Sequence, residues 1–134
     1  IYVLDRPNPQ CRKVTGQILN KKYSSFVGIT EIPVTYGMSI GELSLFFKDK
    51  IKVETGKDVN LHVIQMLNYS EKKSERFFRR KWIPPSPNLR NLNSALLYPG
   101  LCFLEATNIS EGRGTKFPFE IFGAPFIKSE KIIS

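Results

Sequence analysis

The stretch Ser39-Ile40-Gly41-Glu42 constrains this chain most, because it carries both halves of a reciprocal helix cap. The serine hydroxyl can accept from the amide three residues on, while the glutamate reaches back to the serine amide. Ile40, Leu43, Phe46, Phe47 and Ile51 then recur at helical spacing on one face. Thr55-Gly56 supplies the stop, since glycine takes the left-handed conformation that ends helices. A strand-like run, Tyr2-Val3-Leu4, precedes this helix, and a β-rich run from Leu61 to Leu67 follows it. Strand, capped helix and strand predict an α/β or α+β layer arrangement.

Elsewhere prolines and glycines set the limits. In Asp5-Arg6-Pro7-Asn8-Pro9 the two prolines fix φ and remove donors, so the first strand stops and a rigid loop follows. Cys11 to Ser25 is polar and basic and reads as a loop; Ser25 to Ile29 and Ile32 to Tyr36 read as short β-type runs. Trp82 to Asn88 holds three prolines and can be neither helix nor central strand. Asn93 is placed to cap a short helix through Leu97, ended by Pro99-Gly100. Leu101 to Leu104 and Glu120-Ile121-Phe122 read as short strands on either side of a glycine-punctuated loop, Asn108 to Thr115.

With 134 residues, 41% hydrophobic and 12% aromatic, the chain can build a folded core, which argues against disorder. No apolar run approaches the roughly 20 residues that cross a bilayer. Cys11 and Cys102 are too few for a disulfide framework; two free, partly buried thiols are expected, one bridge being the alternative. With His62 as the single histidine, a multi-histidine metal site is close to excluded; no metal and no cofactor are expected. The net charge of +8 permits anionic partners. Lys72, Lys73, Arg76, Arg79, Arg80 and Lys81 cluster beside Phe77, Phe78 and Trp82, as in a nucleic-acid groove or a solvated basic face. The solvated face is preferred, and no nucleic-acid partner is expected. The chain opens inside a strand without an initiator Met or a leader, so a piece of a longer parent is expected and the compartment is left open, extracellular or periplasmic in the parent.

Three segments are candidates for chemistry. Asp5 and Arg6, at the carboxyl end of a strand, sit where open α/β sheets bind ligands, or else pair with neighbours and pin the loop. Trp82 leads a proline-stiffened loop that could wall a sugar ring, although by composition Trp82 is better read as filling the core. In Asn108-Ile109-Ser110-Glu111-Gly112-Arg113-Gly114-Thr115 the glycines allow close backbone approach to a ligand. Glu111 could accept from sugar hydroxyls and Arg113 could grip a carboxylate; a glycine turn with a surface ion pair is the alternative. No phosphate-loop lysine accompanies the glycines, which disfavours nucleotides.

The order of these segments is informative. Tyr2 to Pro9, Ser25-Phe26-Val27-Gly28, Ile32-Pro33-Val34, Gly37 to Leu43, Pro84 to Asn88, Ser94 to Gly100, Asn108 to Thr115, Pro118-Phe119-Glu120 and Gly123 to Ile127 follow one another along nearly the whole chain. The set resembles the bacterial exo-β-N-acetylmuramidases, formerly a domain family of unknown function. That resemblance implies removal of terminal N-acetylmuramic acid from peptidoglycan fragments, so the expected partners are a peptidoglycan-derived sugar or muropeptide and the rest of the parent chain. It also implies a Rossmann-like N-terminal domain and a smaller mixed α/β domain, with the site between them. On this reading residues 1–37 are the end of the Rossmann-like domain with a linking loop, residues 38–134 belong to the smaller domain, and the fragment alone lacks a complete active site. Glu111 and Asp5 are then the expected catalytic carboxylates, and Arg6, Asn8, Asn108, Arg113, Thr115, Trp82 and Asn88 bind substrate. Asp5 and Arg113 are expected to converge on one pocket, with Arg113 or Arg6 meeting the lactyl carboxylate of muramic acid. Two positions depart from the pattern: Val14-Thr15-Gly16 stands where the family has Val-Glu-Gly, and Tyr36 where it favours His. Glycoside hydrolysis usually uses two carboxylates, so Thr15 supports the alternative of a non-catalytic binding module for anionic cell-wall glycans.

Overall fold

The computed structural model describes residues 1–69 and 81–132. Lys72, Lys73, Arg76, Arg79 and Arg80, with Phe77 and Phe78, lie outside the described residues. The protein is mixed α/β, as its patterning implies, and divides into two compact units, Ile1–Arg80 and Lys81–Ser134.

In the first unit, strand β1 (Tyr2–Leu4) pairs in parallel with β4 (His62–Ile64), in the register Tyr2 to His62, Val3 to Val63 and Leu4 to Ile64. Parallel neighbours need a long crossover, and helix α1 (Ile40–Thr55) lies within it and packs against both strands. The helix starts and stops where the sequence places its signals. Ser39 Oγ accepts from the Glu42 amide at 3.2 Å, and Glu42 Oε2 accepts from the Ser39 amide at 2.7 Å. Gly56, at φ 70°, donates its N–H to the Lys52 carbonyl and ends the helix. The expected apolar face is only partly covered: Leu43 and Phe47 are half-buried, while Ile40 is 46% exposed. The strand expected over Leu61 to Leu67 is confined to His62–Ile64, and His62 is a surface residue stacked on Tyr2 at 4.8 Å.

Cys11 to Ser25 is not a plain loop. It contains β2 (Val14–Ile18), antiparallel to β3 (Pro33–Tyr36), then a 3₁₀ turn at Lys21–Tyr23 capped by Asn20. Gly16, at φ +91°, lies where the register slips between Thr15 and Ile18, so this glycine accommodates an irregularity inside a strand. Ser25 to Ile29 is not a strand either. Ser25 and Gly28 exchange backbone hydrogen bonds at 2.8 and 3.0 Å, which reverses the chain with Phe26 and Val27 at the apex.

The second unit begins with an irregular segment through Asn88, as three prolines require. Helix α2 (Leu92–Leu101) is capped by Asn91, not Asn93: Asn91 Oδ1 accepts from the Ser94 amide at 2.9 Å, and Ser94 Oγ accepts from the Asn91 amide at 3.3 Å. Pro99 is taken into its last turns, and the chain tightens into a 3₁₀ segment, Cys102–Ala106, so the strand expected over Leu101 to Leu104 does not form. The strand expected at Glu120–Phe122 is also absent. Phe119, at φ 59°, turns the chain so that only Gly123 pairs with Ser110. Ala95 and Phe119 are the buried hydrophobic residues among those described, and both lie in this unit. Cys11 and Cys102 are free and partly buried, as expected. No helix among the described residues is long and apolar enough to cross a membrane.

Candidate functional site

Two clusters hold the sequence-predicted residues, one in each unit. In the first unit, the backbone leaving β1 adds one more ladder bond, from the Asp5 amide to the Ile64 carbonyl at 3.0 Å. The Asp5 side chain then turns onto the start of α1. Its Oδ1 accepts from the Gly41 amide at 2.8 Å and from the Arg6 amide at 2.9 Å. An anion at a helix N-terminus meets unsatisfied amides and the positive end of the helix dipole. Gly41 permits the approach, since a β-carbon there would stand 2.7 Å from Asp5 Cγ.

Asn8 is similarly engaged. Its Nδ2 donates to the Met38 carbonyl at 2.9 Å and its Oδ1 accepts from the Gln10 amide at 2.8 Å, which ties the proline loop to the residues before α1. Arg6 differs: it is exposed, and its guanidinium has no ion-pair partner among the described residues. Sequence reasoning missed two residues beside this corner. Arg12 Nη1 donates to both Glu42 oxygens at 2.7 Å, so the capping glutamate is also an ion-pair partner. Tyr69 shares the neighbourhood; burial, then the Glu42 carboxylate, push its phenol above the ordinary value, Asp5 and Cys11 add to this and Arg12 opposes it.

In the second unit the loop Asn108 to Thr115 forms as expected, and Glu111 and Arg113 are brought together. Arg113 Nε lies 3.0 Å from Glu111 Oε1, and its Nη2 lies 2.9 Å from Glu105 Oε2. Glu111 is 8% exposed, so this is not an ordinary surface pair. The Arg113 guanidinium carbon lies 5.3 Å from the Phe119 ring centroid, a cation–π distance. Phe119 packs edge-on against Tyr98 at 4.9 Å, and its amide donates to the Glu111 carbonyl at 2.8 Å. Only glycine fits at Gly112: φ is +85°, and a β-carbon would stand 2.8 Å from the Phe117 carbonyl oxygen.

The remaining expected residues divide by use. The Thr115 hydroxyl donates to the Gly112 carbonyl at 2.7 Å and accepts from the Phe117 amide at 3.0 Å, so Thr115 shapes the loop. Trp82 is half-buried and its Nε1 donates to the Leu89 carbonyl at 3.0 Å, closing the proline segment. Asn88 is half-buried and its amide donates to Ser86 Oγ at 3.4 Å, while Asn108 is exposed at the mouth of the loop. Glu105 and Tyr98 were not anticipated. Glu105 directly follows the run Leu101 to Leu104 that reads as a strand, and its partner is visible only once that stretch is folded as 3₁₀ turns. Burial, then Cys102 and Glu105, raise the Tyr98 phenol above its ordinary value, against the opposing charge of Arg113. The Cys102 thiol is raised by burial, then by Glu105.

Comparison with known proteins bears on the whole chain. Two family models match: exo-β-N-acetylmuramidase NamZ, N-terminal, over residues 1–93, and exo-β-N-acetylmuramidase NamZ, C-terminal, over residues 96–134. The peptidoglycan β-N-acetylmuramidase NamZ of Bacillus subtilis (strain 168) is 44% identical over 131 residues, which is 97% of this chain and 31% of that protein. Crystal structures of two DUF1343 family proteins from Bacteroides fragilis NCTC 9343 are similar with a TM-score of 0.84 each, at 40% and 35% identity, over 96% and 98% of this chain. The alignments take in 35% and 34% of those chains, so this chain spans about a third of the length of its relatives. With both family models matched in order along its length, the chain belongs to the exo-β-N-acetylmuramidase NamZ family.

Proposed function

We propose that this chain carries part of the sugar-handling machinery of an exo-β-N-acetylmuramidase that releases terminal N-acetylmuramic acid from peptidoglycan fragments. The observation that carries the reading is the Glu111 carboxylate, 8% exposed and clasped by Arg113 on a loop where Gly114 leaves open space. Burying a charge costs free energy even when it is paired, so a turn kept only for its shape has no use for such a carboxylate. Glycoside hydrolysis does have a use for one. Similarity to the Bacillus subtilis peptidoglycan β-N-acetylmuramidase supports the substrate class.

Within this reading Glu111 is the catalytic carboxylate. Arg6, exposed and without an ion-pair partner among the described residues, is the arginine left to meet a ligand carboxylate, whereas Arg113 already serves two. Asp5 is the weaker candidate for direct catalysis. Its Oδ1 is committed to two amides, and its work is to fix the turn that carries Arg6. The remainder of the parent polypeptide supplies what this chain lacks.

The test is turnover of a chromogenic β-glycoside of N-acetylmuramic acid by the full-length parent. Release is expected, with Glu111→Gln lowering kcat by about 10²-fold or more and Arg6→Gln raising KM by roughly tenfold through loss of a charge-assisted contact. A folded parent that binds muramic acid by calorimetry but releases nothing would establish the binding module instead.

A further inference from the structure

We propose that Glu105 is a positioning residue: acting through Arg113, it holds the Glu111 carboxylate in its working orientation without touching the sugar. This rests on the functional reading above. Three contacts converge on the guanidinium. Glu105 Oε2 takes Nη2 at 2.9 Å, Glu111 Oε1 takes Nε at 3.0 Å, and the Phe119 ring centroid lies 5.3 Å from the central carbon. The arginine fork is planar and rigid, so fixing one edge fixes where the other edge points.

The two carboxylates stand on unlike supports. Glu105 belongs to the 3₁₀ segment Cys102–Ala106, which continues directly from α2. Glu111 precedes Gly112 and Gly114, at φ +85° and +82°, on an irregular loop outside any helix or strand. Phe119, 1% exposed, anchors the face of the guanidinium and also donates its amide to the Glu111 carbonyl. Rigidity therefore passes from the end of a helix, through Glu105 and Arg113, to a carboxylate on a glycine loop. The side-chain exposures agree with the division of labour, since Glu105 is 34% exposed and Glu111 11%. An outer pair of that exposure adds little to folding stability. Its consequence falls on geometry, where small displacements of a reacting group are costly.

The experiment compares the full-length parent with its Glu105→Gln and Glu105→Asp variants on the chromogenic muramic acid glycoside, together with crystal structures of the parent and Glu105→Gln. For Glu105→Gln, kcat is expected to fall about tenfold while KM stays within about twofold, the split that marks a lost transition-state arrangement. Glu105→Asp should recover part of kcat. In the Glu105→Gln crystal the Arg113–Glu111 pair should open. An unchanged kcat, or a raised KM with kcat kept, overturns the role. So does a Glu105→Gln crystal with Arg113 and Glu111 unmoved. Failure of the unaltered parent to release sugar counts against the functional reading alone, and the crystallographic comparison still decides whether Glu105 positions the pair.

Discussion

Replacing a helical glycine by alanine normally stabilises a helix by about 1 kcal/mol, but at Gly41 a β-carbon would stand 2.7 Å from both Asp5 Cγ and Val63 Cγ1. Forcing atoms into an occupied site typically costs about 1–3 kcal/mol. The carboxylate would also be driven off the Gly41 amide, losing a hydrogen bond to a charged group worth about 1.5–3 kcal/mol where it is shielded from water. The steric and hydrogen-bond losses outweigh the propensity gain. Gly41→Ala is therefore expected to destabilise the first unit by about 1.5–5 kcal/mol, read as a shift in the denaturant midpoint of the full-length protein. A midpoint equal to the native one would show that Asp5 and Val63 give way freely. Sequence reading names Asp5 and Gly41 but cannot join them, because the contact spans the turn and hairpin between β1 and α1. Glu111 and Arg113 are legible together because they are near neighbours in one loop. Glu105 is not, since it is reached only through the fold of the intervening turns.

At the level of elements, the end of α2 gathers Tyr98 and Cys102 close to Glu105. Both groups hold their protons more tightly in the folded chain than their ordinary values imply, burial being the larger cause in each. The folded state then binds more protons than the unfolded state on the alkaline side, so stability falls as pH rises there. The contribution is whole below the unfolded thiol value, near pH 8.5, and is lost as pH climbs past about 10. Tyr98→Phe should flatten the alkaline fall in the denaturation midpoint of the full-length protein above about pH 10, the ordinary phenol value. Part of the fall should persist through Cys102 and Tyr69, which are shifted the same way. An identical slope in the variant would remove Tyr98 from the account. The same helix shows where sequence reading fails. The start and stop of α1 are legible because a capping box and a terminal glycine are local. The length of α2 is not, because Pro99 lies inside it and its continuation as 3₁₀ turns depends on packing. Strand β2 is missed for a related reason: Gly16 breaks the local pattern, while pairing with β3 restores the strand.

For the molecule as a whole, the decisive quantity is the apolar surface left uncovered. Parallel strands occur almost only where both faces of the sheet are buried, yet on the β1–β4 pair Tyr2 is 74% exposed, Leu4 65% and Ile64 50%. Phe26 and Val27 at the apex of their turn are 100% and 93% exposed. Each large apolar side chain fully covered contributes about 1.5–3 kcal/mol, whereas folded domains are stable by only about 5–15 kcal/mol. Leaving several such side chains in water therefore removes an amount comparable to the whole stability of a domain. The 134-residue chain produced alone is expected to bind the apolar dye ANS strongly, to unfold over a broad rather than cooperative transition and to associate at raised concentration. The full-length parent is expected to bind little dye and to unfold cooperatively, further polypeptide being expected to cover the strand pair. Dye fluorescence and denaturation curves on the two proteins side by side make the comparison. A sharp transition without dye binding in the isolated chain would mean that its own residues suffice, and that the exposed faces of β1 and β4 serve something other than the rest of the parent.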